Sequence, residues 1–349
     1  MKVLAALPGK STIFVALCAI LLASGLSKAQ TPDALYRGKQ IRMVIASGAG
    51  GGYDAYARIL ARYLPKYLPG NPSMIIQNMP GASGMVATNW AYNSAPKDGT
   101  VILATYNNLL AEPLYDNPAV HYDTLKFEMI GSFSQSELVC ATWYTSPIKT
   151  IEAAKAREVL VSSTGVTGDS TTMPKILNAL VGTKFKVVTG YETTAARLAV
   201  ERGEVEGICG LSWSNLKGTS PEWIQNNRVN ILVQTGEKTQ PDMPNVPLLL
   251  GLVADANDKK VVNVLTFPQK VGVPYLMPPG TPKEMVLAMR RAFDNALLDP
   301  DLRAEAANGL LEIGPIAGQD MERLIADVYS TPQWLIERAA DYAGITTIK

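Results

Sequence analysis

Glycine is concentrated in one short stretch of the sequence, where four of the five residues at positions 48–52 are glycines. Residues 41–46 before it are typical of a strand, and residues 55–67 after it are typical of an amphipathic helix. Glycines at such a turn leave backbone N–H groups uncovered at a helix N-terminus, where the helix dipole favours negative charge. The run therefore predicts an anion-binding loop, with a plain tight turn as the alternative. Its residues are Ser47, Gly48, Ala49, Gly50, Gly51, Gly52 and Tyr53.

The glycine run does not match the common nucleotide-binding loops. Tyr53 stands where the dinucleotide fingerprint needs its third glycine, and no Gly-Lys-Ser/Thr follows as it would in a P-loop. Asp54 either caps the helix or bonds the loop, and capping is the usual role of an aspartate there. Because an aspartate facing an anion would repel it, we expect the Asp54 side chain to turn inward.

A second loop, in the middle of the sequence, has a similar composition. Glycines and hydroxyl residues fill most of positions 162–172, after a strand-like segment, although such runs also occur in ordinary solvated loops. In open α/β sheets ligands bind beyond the carboxyl ends of the strands. Two helix N-termini facing each other there would suit a ligand with a carboxylate at each end. The predicted residues of this loop are Thr164, Gly165, Thr167, Gly168, Asp169 and Ser170.

Further loops at the same edge supply polar and aromatic candidates. Ser83 follows the second predicted strand, and Tyr106 and Asn107 follow the third. Tyr191 follows a strand-like segment in the second half of the chain, where it is either a hydroxyl donor or a core residue. Trp213 either forms a wall of a ligand cleft at this edge or is buried.

Catalytic and metal-binding motifs do not occur in the sequence. Gly-x-Ser-x-Gly, His-Glu-x-x-His and Cys-x-x-Cys are absent, and His121 is the single histidine. Residues 255–260 fail as a calcium loop because lysines occupy the fifth and sixth positions. We therefore predict no enzyme activity, no metal and no cofactor. With 32 basic and 31 acidic residues, the chain also lacks the positive charge that nucleic-acid binding needs.

The first 29 residues have the pattern of a secretory signal. Lys2 and Lys10 give a positive start, and the apolar segment 13–22 is too short for an ordinary transmembrane helix. Small residues at Ser27 and Ala29 predict cleavage after Ala29, with an uncleaved membrane anchor as the alternative. We expect an exported, soluble protein that is monomeric.

Strand-like and helix-like segments alternate along the chain, which indicates an α/β fold with mostly parallel sheets. Thr281 precedes a proline and a glutamate, and this pattern predicts that Thr281 caps the following helix. The predicted strands are residues 40–46, 73–77, 100–105, 158–162, 184–188, 207–210, 230–234 and 271–276. The predicted helices are residues 55–67, 85–94, 173–181, 193–202, 282–298 and 321–329.

The mature chain is predicted to form two lobes, and two segments are candidates for the places where the chain passes from one lobe to the other. Residues 129–141 read as one long strand leaving the first lobe, and the proline-rich residues 241–247 lie near the return. A chain that leaves a domain and returns has two linkers, which makes a hinge beside a cleft. We predict that residues 1–29 are the signal peptide, that domain 1 comprises residues 30–131 plus 249–349, and that domain 2 comprises residues 132–248.

Cysteine usage gives one more expectation. The mature chain contains two cysteines, Cys140 and Cys209. An exported compartment permits a disulfide, but free cysteine is also among the most buried residue types. We predict two buried free thiols.

Several short motifs follow one another along the chain. They are residues 41–45 followed by 50–54 and Arg58, then residues 77–84, 96–100, 164–170, 203–207 and 278–282. With this ordered set the chain resembles one family, the periplasmic substrate-binding proteins of tripartite tricarboxylate transporters, also called Bug receptors. The resemblance covers nearly the whole mature chain, although Tyr53 stands where small residues are common in the family and residues 184–191 replace a Pro-Tyr-Lys-Gly-like segment.

The resemblance implies a two-lobed periplasmic binding protein fold (type II-like), with two mixed sheets flanked by helices and a ligand cleft between the lobes. Such receptors capture a small organic carboxylate, such as a tricarboxylate, a C4-dicarboxylate, an acidic amino acid or an aromatic acid, and deliver it to a membrane permease. The resemblance implies that backbone N–H groups of residues 48–53, Ser83 and residues 164–170 hold the carboxylate, with Tyr106, Asn107 and Tyr191 as further contacts. The alternatives are a carboxylate sensor for a membrane kinase and an exported α/β enzyme.

Overall fold

The computed structural model describes residues 35–163, 168–191, 193–236 and 238–344. The strands are β1 (Gln40–Ile45), β2 (Ser73–Asn78), β3 (Val101–Ala104), β4 (Glu128–Ser132), β5 (Leu138–Trp143), β6 (Val159–Ser162), β7 (Phe185–Val188), β8 (Gly207–Ser212), β9 (Val229–Gln234), β10 (Pro274–Met277) and β11 (Ile316–Ala317). Across the described ranges, no helix is both long and apolar enough to cross a membrane.

Helices connect most of these strands. They are α1 (Gly52–Tyr63), α2 (Met85–Asn93), α3 (Ala153–Ala156), α4 (Asp169–Val181), α5 (Thr193–Glu201), α6 (Trp213–Thr219), α7 (Pro221–Gln225), α8 (Leu249–Leu252), α9 (Ala256–Val271), α10 (Lys283–Leu298), α11 (Pro300–Asn308), α12 (Gly318–Tyr329) and α13 (Gln333–Ala343). Short 3-10 turns occupy Leu64–Tyr67, Ala82–Gly84, Asn107–Leu110, Glu112–Tyr115 and Thr124–Lys126.

The first sheet has six strands in the order β11-β4-β10-β3-β1-β2. Strand β1 pairs in parallel with β2 and β3, whereas β10 and β11 pair antiparallel with their neighbours. Alternate residues of β1 enter different cores, because successive strand side chains point to opposite faces. Val44 packs with α2, α9, α12 and α13, and Met43 and Ile45 pack with α1, α10 and α11.

The second sheet has five strands in the order β7-β6-β8-β5-β9 and is also mixed. Cys140 of β5 lies opposite Cys209 of β8 in the antiparallel register. Both cysteines are fully buried, and they are joined by a disulfide. The prediction of two free thiols is therefore wrong, because strand pairing brings together two residues that are far apart in the sequence.

The chain crosses between the sheets in two closely paired segments. The N–H of Phe133 donates to Val273 O at 3.0 Å, and the N–H of Ser136 donates to Gln269 O at 3.0 Å. Gly272 has a φ of 51°, and a Cβ at this position would collide with the carbonyl oxygen of Ser134. The predicted long strand over residues 129–141 is wrong, since the crossing separates β4 from β5.

Three local predictions also need correction. The predicted strand over residues 271–276 is shorter, because Val271 ends α9 and β10 begins at Pro274. Thr281 does not cap α10, because its hydroxyl donates to Pro278 O at 2.7 Å and Pro282 occupies the N-cap position. The first helix begins earlier than predicted, at Gly52, and becomes a 3-10 turn at Leu64–Tyr67. The proposed boundaries of the two domains stay a prediction.

Helix α9 was not predicted, yet it belongs to both lobes. Val261 and Phe267 pack into a core of the first sheet, whereas Val262 packs into a core of the second. Its N-cap is Asp255, whose side chain accepts hydrogen bonds from the N–H groups of Asn257 and Asp258. Residues 255–260, which fail as a calcium loop, are thus a helix start.

We expect Asp255→Ala to lower the free energy of unfolding by about 1 kcal/mol, because two helix N–H groups lose their acceptor. Urea denaturation followed by circular dichroism measures this change. Asp255→Asn is the matched control, since asparagine also caps helices and should keep most of the stability. Equal stability of Asp255→Ala and the unsubstituted protein would contradict the role of this cap.

Candidate functional site

The glycine loop lies between β1 and α1, as the sequence predicted. Ser47 is buried, whereas residues 48–52 are exposed. Gly51 is the N-cap residue, and the first backbone bond of the helix runs from the N–H of Ala55 to Gly51 O at 2.9 Å. The N–H groups of residues 52–54 therefore have no acceptor within the helix. Uncovered amides at a helix N-terminus are suited to an anion.

Asp54 shapes this loop from the inside. It is 2% exposed, and its Oδ2 accepts a hydrogen bond from the N–H of Gly50 at 2.8 Å and another from Arg58 Nε at 2.7 Å. Its Oδ1 accepts a hydrogen bond from Asn78 Nδ2 at 2.8 Å, and Asn78 also donates to Ser47 O at 3.0 Å. The side chain turns inward as expected, but it bonds the loop and does not cap the helix.

The hydrogen bonds to Asp54 also set its charge. Burial raises the pKa of the Asp54 carboxyl, but the bonds from Arg58, Gly50 and Asn78 together outweigh burial and lower the pKa to about 2. The carboxylate is therefore ionised at neutral pH, and the positive charge of Arg58 compensates its negative charge. Its charge does not oppose an anion on the outer face of the loop.

The loop after β2 has an unusual backbone. Gly81, Ala82, Ser83 and Gly84 all have positive φ values, of 140°, 44°, 52° and 89°. Left-handed conformations cost about 1–3 kcal/mol at residues other than glycine, and they persist where the surrounding structure enforces them. Gly84 also packs tightly against the loop after β3, because a Cβ there would lie 2.6 Å from the Tyr106 ring. Ser83 is held exposed in this turn.

Three of the predicted residues of the first lobe meet directly. The rings of Tyr53 and Tyr106 pack edge to face with their centroids 4.7 Å apart. The N–H of Asn107 donates to the Tyr53 hydroxyl at 3.3 Å, and this hydroxyl donates to Gly272 O at 3.2 Å. Asn107 Nδ2 donates to Pro268 O at 2.7 Å. Tyr53 and Asn107 thus tie the loops after β1 and β3 to the crossing between the lobes.

The second lobe places hydroxyl groups at the start of α4. Ser163 Oγ lies 3.0 Å from Ser170 Oγ and 2.5 Å from Thr171 Oγ1. The N–H of Tyr191 donates to Ser163 O at 3.3 Å, which places the half-buried Tyr191 beside this cluster. Gly168 is the N-cap of α4 and Asp169 its first residue. The predicted Thr164, Gly165 and Thr167 lie outside the described residues.

Asp169 faces the first lobe. Gln269 Nε2 at the end of α9 donates to Asp169 Oδ1 at 2.9 Å. Burial raises the pKa of the Tyr53 phenol more than the Asn107 bond lowers it, and the charges of Tyr106 and Asp169 raise it further. Desolvation also raises the pKa of Asp169, although the Gln269 bond opposes this. Asp169 of the second predicted loop and Tyr53 of the first therefore both contact the region where α9 ends, at Gln269 and Gly272.

The sequence did not identify some of the residues that support this site. Gln269 and Gly272 contact the predicted residues only because α9 ends beside them, and no local motif marks them. Asn78 lay within a recognised motif but was not expected to anchor the loop. Trp213 is 5% exposed and donates its indole N–H to Asp242, so it is buried and does not form an open wall.

A separate crevice of about 690 Å³ lies beside the crossing segments. None of the predicted site residues lines it. Its described wall carries three acidic and three basic side chains, so it has no net charge to attract an anion. The uncovered amides of the glycine loop are better suited to an anion. The charged residues of the crevice are Glu137, Lys238, Lys270, Asp320, Arg323 and Asp327.

Comparison with known proteins agrees with this architecture. A UPF0065 protein of Bordetella bronchiseptica is 25% identical over 289 residues, which cover 81% of this chain and 80% of that protein. A TctC solute binding protein from Polaromonas has a similar fold, with a TM-score of 0.69 and 19% identity, over 87% of this chain and 99% of that one.

A second solved structure is also similar. R. palustris Rpa4515, whose structure was solved with adipate, has a TM-score of 0.58 and 18% identity, over 88% of this chain and 98% of that one. These likenesses confirm the predicted two-lobed α/β fold with two mixed sheets. The profile of the TctC family, described as the tripartite tricarboxylate transporter family receptor, matches residues 56–340. This match spans most of the chain, which therefore belongs to the tripartite tricarboxylate transporter receptor family.

Proposed function

We propose that this protein is a periplasmic receptor that captures a small organic carboxylate between its lobes and delivers it to the permease of a tripartite tricarboxylate transporter. One observation carries the proposal. Asp54 is turned inward and paired with Arg58, so the exposed residues 48–52, apart from the Gly50 amide that bonds Asp54, present backbone N–H groups at the start of α1. Receptors of this family are solute-binding proteins of the periplasm and do not form an enzyme family.

The proposed contacts come from both lobes. The glycine loop and Ser83 hold one carboxylate, and the start of α4 closes on the ligand from the other side. Tyr53, Tyr106, Asn107 and Tyr191 complete the walls. A hydrogen bond to a charged group contributes about 1.5–3 kcal/mol. Four or five such bonds, less ordering and desolvation costs, are sufficient for the roughly 8 kcal/mol of a micromolar affinity.

Two further features belong to this proposal. The first is that the chain divides into domain 1 (residues 30–131 plus 249–349) and domain 2 (residues 132–248). With this division, the crossing between the lobes acts as a hinge beside the ligand. Cleavage after Ala29 releases a monomeric protein that acts without a cofactor and without catalysis. N-terminal sequencing of the exported protein tests the cleavage site, and light scattering after gel filtration tests the monomeric state.

The binding step is tested with the mature protein, from Gln30 onward, in a thermal-shift screen of mono-, di- and tricarboxylates. A ligand that binds only the folded state stabilises it by about 2.7 kcal/mol at a concentration of 100 times its Kd. We expect one chemical class to raise the melting temperature in a dose-dependent way, and calorimetry gives its affinity. A silent panel, with the protein folded and shown to be free of carried-over ligand, would overturn the proposal.

Delivery to a permease needs a separate experiment, because a sensor would bind the same ligand. A strain lacking this receptor should lose uptake of the labelled ligand and regain it when the gene is restored. Uptake that persists without the receptor, while a transcriptional response to the ligand disappears, would show sensing in place of transport.

A further inference from the structure

The two lobes offer a ligand different charges. In the first lobe, the ionised Asp54 is buried and compensated by Arg58, and the outer face of the loop presents N–H groups. This end of the cleft favours a negative charge. The first residue of α4 in the second lobe is Asp169. This end presents a carboxylate.

The position of Asp169 is fixed by close packing. A Cβ at Gly210 of β8 would collide with the carbonyl group of Asp169, so the backbone of the sheet lies directly against the start of α4. Gln269 Nε2 holds one carboxylate oxygen at 2.9 Å across the gap between the lobes. The backbone of Asp169 is therefore fixed by the second sheet, and its carboxylate is held by Gln269.

Within the described part of the chain, no cationic side chain pairs with Asp169, whose charge is favoured by the N-terminus of α4. Gln269, its donor there, is neutral, and no lysine or arginine of the described ranges forms an ion pair with Asp169. Asp54 at the equivalent turn of the first lobe is paired with Arg58 at 2.7 Å. An unpaired carboxylate in a partly desolvated cleft repels an anion and attracts a cation or a hydrogen-bond donor.

We propose that Asp169 selects ligands that carry an ammonium group in addition to the carboxylate bound by the first lobe. The ligand class is then a zwitterionic amino acid, and a simple dicarboxylate of the same length is disfavoured. This inference rests on the proposed carboxylate-receptor function and narrows its ligand. It replaces the expectation of a ligand with a carboxylate at each end.

Matched ligand pairs test this selection by calorimetry on the mature protein. In the pairs β-alanine and succinate, 4-aminobutyrate and glutarate, and 5-aminopentanoate and adipate, an ammonium group replaces one carboxylate. In the pairs aspartate and succinate, and glutamate and glutarate, an ammonium group is added. We expect the amino member of the best-fitting pair to bind at least tenfold more tightly than the dicarboxylate.

Removing the negative charge of Asp169 should remove the preference for the amino ligand. In Asp169→Asn, we expect the amino ligand to bind at least tenfold more weakly and the dicarboxylate to bind more tightly, so that the two affinities converge. Asp169→Ser provides a second variant that keeps a small polar side chain at the first residue of α4. Asp301→Asn is the matched control, because Asp301 is an exposed first-turn aspartate of α11. Circular dichroism verifies that each variant is folded.

The outcomes separate this inference from the proposed function. Dicarboxylates that bind the unsubstituted protein as tightly as their amino partners would overturn the selection and leave the receptor function intact. An amino-acid preference that is unchanged in folded Asp169→Asn and Asp169→Ser would also overturn it. If no member of either class binds the folded, ligand-free protein, the selection by Asp169 fails, and the receptor function fails with it only when the full thermal-shift panel is silent as well.

Discussion

Gly51→Val is expected to abolish ligand binding while the protein stays folded. Gly51 has an extended backbone, with φ −82° and ψ 170°, which a valine adopts without strain. A Cβ there would have only Gly48 O within 4 Å, at 3.8 Å, so the side chain fits the free protein. It would cover the amides of the loop, and an anion needs close approach to those N–H groups.

Calorimetry with the ligand identified by the thermal-shift screen measures this effect, and we expect at least a hundredfold loss of affinity. Gly251→Val is the matched control, because Gly251 is an exposed glycine of α8 with open space around its Cβ position. It should bind like the unsubstituted protein. Full affinity in folded Gly51→Val would remove the glycine loop from the binding site.

Asp54→Asn is expected to weaken both folding and binding. The asparagine retains one acceptor oxygen, but its amide group would face the donor groups that now meet the second carboxylate oxygen. Losing hydrogen bonds to a buried charged group costs about 1.5–3 kcal/mol each, and the partial exposure of Arg58 reduces its share. We expect a loss of about 2 kcal/mol in stability and at least tenfold in affinity, because Gly50 loses its anchor.

The stability difference should depend on pH in a defined direction. The folded-state pKa of Asp54 is about 2, and the pKa of an unfolded aspartate is about 3.9. The stabilisation is therefore complete above about pH 5 and is lost progressively as the pH falls towards 2. Urea denaturation should show a full difference between Asp54→Asn and the unsubstituted protein at pH 7 and a smaller one at pH 3. A difference that does not change with pH would contradict the assignment, and Asp301→Asn controls for the loss of a helix-start charge.

Features with a local cause were predictable from the sequence. The glycine loop was located because a strand-like segment, a glycine run and a helix-like segment follow one another, and the inward turn of Asp54 followed from charge repulsion alone. Most of the predicted strands and helices lie within a few residues of their observed bounds. Their alternation was sufficient to indicate the α/β class.

Features that depend on tertiary contacts were missed. Helix α9 contains Pro268, and its apolar residues serve two different cores, so they do not form one regular stripe. Gln269 acquires a role only when this helix ends beside Asp169. The Cys140–Cys209 disulfide depends on the register of two antiparallel strands that are 69 residues apart in the chain. None of these relations has a signature within a short stretch of sequence.

The strand order has a consequence for biosynthesis. The five strands of the second sheet lie within residues 138–234, so they are all available once that stretch has emerged during synthesis or export. The first sheet still lacks β10 and β11 at that moment, and β10 is the strand between β4 and β3. The lobe that begins the chain is therefore the last to be completed. The glycine loop gains its full structural support only after the C-terminal third of the chain has been made.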